Sequence, residues 1–187
     1  MQKGGNHVVL FVKNFRGDTY FLHSRLTKKG NLSYHFSKKT EGAADIQDVP
    51  EGYEIYEEPN GKVYLRKQII SPIKADELRL IEEGMKKYSI IEDFKLDVKK
   101  DAVYIYQAVD SFDDALIPKP LQEKYKVYET SLRYTLIDKD ERTFEVERFC
   151  YTGSIDDWIY LDGPDQLERL VREYTPHLGK ESFYELM

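Results

Sequence analysis

The chain has 187 residues, 41% of them apolar and 33% charged, which is enough for one full core and suits a globular protein. No run approaches the roughly 18 apolar residues of a membrane-crossing helix. The single cysteine, Cys150, excludes an internal disulfide and any cysteine-cluster metal site.

The net charge of −6 is unevenly shared. Residues 1–40 hold eight Lys and Arg against Asp18 alone, a balance of +7, so the other 20 bases and 33 acids leave −13 for residues 41–187. Such a split points to an anionic partner for the first segment or to a clasp within the chain. The opening MQKGGNHVVLFVKNF has an apolar run of only five residues, too short for a secretory signal. With one cysteine, the expected location is cytoplasmic.

In chain order, TYFLHSRLTKKGNLSYHFSK (residues 19–38) is the first predicted hairpin. Its alternation puts Tyr20, Leu22 and Leu26 on one face and Phe21, His23 and Arg25 on the other. The loop KKG ends at Gly30, which takes the left-handed position. Leu26 then faces Leu32, Leu22 faces Phe36, and His23 faces His35. Residues 40–52 read as a loop. YEIYEEPNGKVYLRK repeats the device: Pro59 pre-sets the turn, Gly61 closes it, Ile55 meets Leu65 and Glu54 meets Arg66.

After Ser71-Pro72, read as a helix start, Leu78, Ile81, Met85 and Tyr88 keep helical spacing. FKLDVKKDAVYIYQA gives a third hairpin, with Phe94 opposite Ile105 and Leu96 opposite Val103. Residues 110–121 read as a loop. SLRYTLIDKDERTFEVERF gives a fourth hairpin, with Leu136 opposite Phe144 and Tyr134 opposite Val146. Asp162 and Pro164 precede a second helix carrying Leu167, Leu170, Val171 and Tyr174, with Asp162 as its cap and Asp165 in its first turn. KESFYELM closes the chain with a short helical turn. The 15 tyrosines favour pleated surfaces and support the strand-rich reading.

The predicted fold is therefore α+β: antiparallel β-hairpins forming a sheet system covered by two or three helices, in one domain spanning 1–187. The order hairpin, hairpin, helix occurs twice, so pseudo-halves 1–90 and 91–187 are an alternative division.

Three functional readings follow. The leading one is a non-catalytic binding module for a protein partner or a second copy, with Tyr56, Tyr64, Tyr104 and Tyr106 as contact aromatics. It rests on mixed hairpin faces and on the absence of GxSxG, P-loop and dinucleotide motifs. No cofactor is implied.

The second reading is weak anion or single-stranded nucleic-acid binding by the first hairpin, through His23, Arg25, Lys28, Lys29 and His35, with Phe21 stacking on a base. The third is a metal-assisted hydrolase in which the facing imidazoles of His23 and His35 share a metal with Asp156 or Asp157. Zinc needs at least three protein ligands, and the hairpin supplies two.

Overall fold

The structure is a computed structural model that describes residues 9–109, 118–151 and 156–186. The chain divides into two compact units, Met1–Gln68 with Phe112–Lys126, and Ile69–Ser111 with Val127–Met187. The class is α+β with antiparallel sheets.

In the first unit, β1 (Phe11–Lys13), β2 (Thr19–Leu26) and β3 (Leu32–Ser37) form one sheet in that order. A two-stranded sheet is built from β4 (Tyr53–Glu57) and β5 (Val63–Lys67). Both hairpins have the registers read from the sequence, with Leu26 on Leu32, His23 on His35, Ile55 on Leu65 and Glu54 on Arg66. Gly30 and Gly61 both lie at φ +79°, where only glycine is unstrained. Arg66 donates to Glu54 at 2.7 Å. The core here is small: Leu22, Val63 and Leu65 are buried. The loop after β3 is fastened to it, since Ala44 N donates to Leu22 O at 2.8 Å.

The expected 110–121 loop is corrected at its end. A short helix, α2 (Lys119–Tyr125), starts within it, while residues 110–117 lie outside the described residues. Pro118 before the first helical residue supplies the fixed φ that a helix start tolerates. Arg16 Nη2 donates to Lys126 O at 2.6 Å, and Lys124 lies 3.8 Å from Asp18, which tie this segment to the β1–β2 turn.

The second unit holds α1 (Ala75–Tyr88) and a five-stranded antiparallel sheet. Its strands are β6 (Phe94–Lys99), β7 (Ala102–Val109), β8 (Val127–Asp138), β9 (Thr143–Tyr151) and β10 (Asp156–Gln166), in the order β10-β9-β8-β7-β6. Helix α3 (Leu167–Tyr174) and two short 3-10 turns complete it. The second of these turns, Glu181–Phe183, falls in the predicted C-terminal KESFYELM. Alternation sends Val103, Ile105, Leu132, Tyr134, Leu136, Phe144 and Val146 to one face, where they form a single buried cluster with Ile81 and Met85 of α1 and Leu170 and Val171 of α3. At the helix crossing stands Gly84, because a Cβ there would lie 2.1 Å from Val171 Cγ1.

Three local expectations need correction. Leu96 pairs with Ile105 and Val98 with Val103, two residues away from the predicted register. The turn is the tight Lys100–Asp101, with Lys100 at φ +54°, so no glycine marks it. Helix α1 begins after Lys74, not at Ser71-Pro72; Ser71 Oγ instead donates to Lys100 O at 2.6 Å, and Glu77 accepts from Lys74 N at 2.7 Å.

Asp162 is not the cap of the last helix and Asp165 is not in its first turn, because β10 runs to Gln166 and both aspartates lie on it. They are gathered by Arg169, which also reaches Glu173, and Asp162 additionally accepts from Tyr174 Oη at 3.1 Å. The Arg169 hydrogen bond holds the Asp162 carboxyl below its ordinary range, and burial together with Asp162 pushes the Tyr174 phenol up to about 12.

Candidate functional site

The β2–β3 ribbon carries all the residues proposed for anion or metal binding except the two aspartates. His23 and His35 share one face, their rings stacked at 5.3 Å between centroids. Their surroundings differ. His23 is buried, and its Nε2–H donates to Lys39 O at 2.9 Å, an assignment fixed by the carbonyl, which only accepts. That nitrogen is therefore engaged and not offered to a metal.

His35 is exposed. Burial of its ring edge, then the neighbouring His23 and Arg25, lower its pKa from the ordinary 6.5. The unfolded chain accordingly takes up the His35 proton before the folded one does. Stability is expected to fall as the pH drops through 6.5 toward the folded value and to level off below it. Thermal unfolding of the full chain at about pH 7.5 and about pH 5.5 checks this, and His35→Gln is expected to shrink the difference.

Arg25, Lys28 and Lys29 are exposed, and none forms an ion pair among the described residues. By contrast, Lys38 is paired with Asp18 at 2.8 Å. Phe21 is partly buried against Phe11, ring centroids 6.3 Å apart. At the ribbon's end the apolar face runs out past the core: Leu26 is 73% and Leu32 48% exposed, side by side in the register.

Among the described residues no group of three or more His, Cys, Asp or Glu is placed to hold a metal ion. Asp156 and Asp157 belong to the other unit, at the exposed start of β10, opposite Tyr151 and Cys150. Successive residues on an extended strand face opposite ways, so the two carboxyls do not converge. Asp157 Oδ1 accepts from Trp158 N at 2.8 Å.

On the outer face of the five-stranded sheet the sequence singled out Tyr104 but not the row it belongs to. That row crosses the sheet strand by strand as Asp97, Tyr104, Arg133, Glu147 and Tyr160. Arg133 grips Glu147 with two hydrogen bonds, at 2.5 and 2.8 Å, and stands 4.3 Å over the Trp158 ring. Those hydrogen bonds to Glu147 raise the Arg133 pKa further. Trp158 packs edge-on against Tyr104 and Phe149, at 5.5 and 5.1 Å.

Both the fork and the plane of this guanidinium are used within the sheet, so the row acts as a brace and offers no free cation. The tyrosines expected to meet a partner are likewise half-buried: Lys99 Nζ donates to Tyr106 Oη at 2.9 Å, and Arg66 lies 3.8 Å over the Tyr56 ring beside Tyr64. No described helix is long and apolar enough to cross a membrane. Compared with family models, with curated proteins and with solved structures, the chain matches none.

Proposed function

We propose that the chain is a non-catalytic binding module whose β2–β3 ribbon docks on the acidic surface of a second copy. One observation carries this reading: the neighbouring Leu26 and Leu32 side chains lie in solvent at the ribbon's end, with Lys28 and Lys29 in the adjoining loop and Arg25 on the reverse face, all three without ion pairs among the described residues. An apolar pair beside a cationic ribbon end suits a protein surface of opposite charge. The −13 balance of residues 41–187 supplies that charge in every copy. Phosphate recognition alone gives no reason to hold two leucines in water.

The contact would join unlike surfaces, so a pair of copies leaves one ribbon and one acidic face free for further copies. Association is therefore expected to grow with concentration and to weaken with salt. Sedimentation velocity over a concentration series, at low and at high salt, tests this. Leu26→Ser with Leu32→Ser should yield a monomer under every condition. A strict monomer of the unaltered chain at high concentration overturns the proposal. If that monomer instead binds single-stranded RNA, and loses it when Arg25, Lys28 and Lys29 are replaced together, the ribbon's partner is nucleic acid.

A further inference from the structure

In the second unit the central sheet splits at one end. The pairing of β8 with β9 stops at Leu132 and Arg148. Beyond that point Val127–Thr130 pair only with β7, and Phe149–Tyr151 only with β10. The divergence begins at a bulge, where Ile105 pairs with Leu132 and Tyr106 with Thr130, leaving Ser131 between them. Tyr151 Oη reaches across the gap to Thr130 O at 3.3 Å. The parting strands enclose a cavity of about 130 Å³, which Phe183 and Tyr184 line from the C-terminal turn.

The polar groups of this cavity are poorly matched to one another. Arg148 is only 7% exposed. Its Nε donates to Leu186 O at 2.8 Å, and among the described residues it has no ion pair. A buried guanidinium without a counter-charge is costly, and sequences rarely keep one without a use. Two more lining groups, Gln107 Oε1 and Thr130 Oγ1, are buried without a hydrogen-bond partner. Two orphaned oxygens, beside a guanidinium without an ion pair among the described residues, define a ligand by what they lack. Among the described residues Arg148 lacks a planar anion, Gln107 Oε1 lacks a donor, and the Thr130 hydroxyl can serve the anion as well.

We infer that the cleft between β8 and β9 binds a small monocarboxylate bearing a hydroxyl or ammonium donor. The carboxylate sits on the Arg148 fork and the donor on Gln107 Oε1. Size sets the rest, because a cavity of about 150 Å³ accommodates benzene, so the ligand has about six non-hydrogen atoms. Glu129, which also lines the space, disfavours doubly charged anions such as sulfate and favours an ammonium group. This site lies wholly in the second unit and stands or falls apart from the ribbon.

Titration calorimetry of the full chain with lactate, alanine, propionate and sulfate tests the inference. Lactate or alanine is expected to bind saturably and at least tenfold more tightly than sulfate. Arg148→Lys keeps the charge but loses the fork, and is expected to weaken binding at least tenfold. Gln107→Leu, which leaves Arg148 in place, is expected to erase the preference for lactate over propionate. Absence of saturable lactate and alanine binding to the unaltered chain overturns the proposal. So does binding that Arg148→Lys leaves undiminished, or a lactate preference that survives Gln107→Leu.

Discussion

Gly84→Ala is expected to destabilise the second unit by about 2 kcal/mol, although alanine is the better helix former. Intrinsic propensity alone would favour the change by about 1 kcal/mol. Against that, the new Cβ would lie 2.1 Å from Val171 Cγ1, and overpacking of this kind costs about 3 kcal/mol. The two helices approach at a position that has room for hydrogen only. Urea unfolding followed by circular dichroism measures the difference. Val171→Ala in the same chain should return most of the loss, which isolates the contact as a coupling between the two sites. A more stable Gly84→Ala protein would mean that α1 and α3 do not meet there.

The second large effect is expected at Glu77, whose carboxylate serves two elements at once. It accepts the free Lys74 N–H that opens α1, and it receives Arg142 Nε at 2.9 Å and Nη2 at 2.5 Å. Both side chains are largely buried, 13% and 19% exposed. Glu77→Ala leaves a buried guanidinium without its counter-charge and is expected to cost about 3 kcal/mol. Removing both charges, with Arg142→Met added, should recover part of this, because no ion then stays buried alone. The same unfolding assay decides: a loss below about 0.5 kcal/mol would place the pair with ordinary surface bridges.

Where glycine marked a turn, the sequence could be read to the residue. Gly30 and Gly61 set their hairpins in register because a positive φ at those points admits little else. At Lys100 and Arg142 the same backbone region, φ +54°, is occupied by side chains that do not advertise it. The third hairpin consequently slipped by two residues, whereas the fourth was held by its apolar pairs, Leu136 on Phe144 and Tyr134 on Val146. Strand β10 gave no clean period, since bulges around Asp162 and Asp165 interrupt its alternation.

The histidine pairing was legible; the burial of His23 was not, because its lid is the backbone at Lys39, after the strand has ended. Arg148 was invisible as a candidate for a similar reason. Its place in the cleft arises from two strands parting, and neither strand carries a local mark of that separation.

The first unit is made of two stretches, Met1–Gln68 and Phe112–Lys126, so the polypeptide passes from one unit to the other three times. A fragment ending at residue 68 would therefore leave Arg16 without the Lys126 carbonyl and Asp18 without Lys124. A fragment starting at residue 69 would carry that orphaned stretch as ballast. Neither half can be liberated by a single cut, and a lone proteolytic nick at 68/69 would leave the pieces joined by whatever grip residues 112–126 keep on their distant kin.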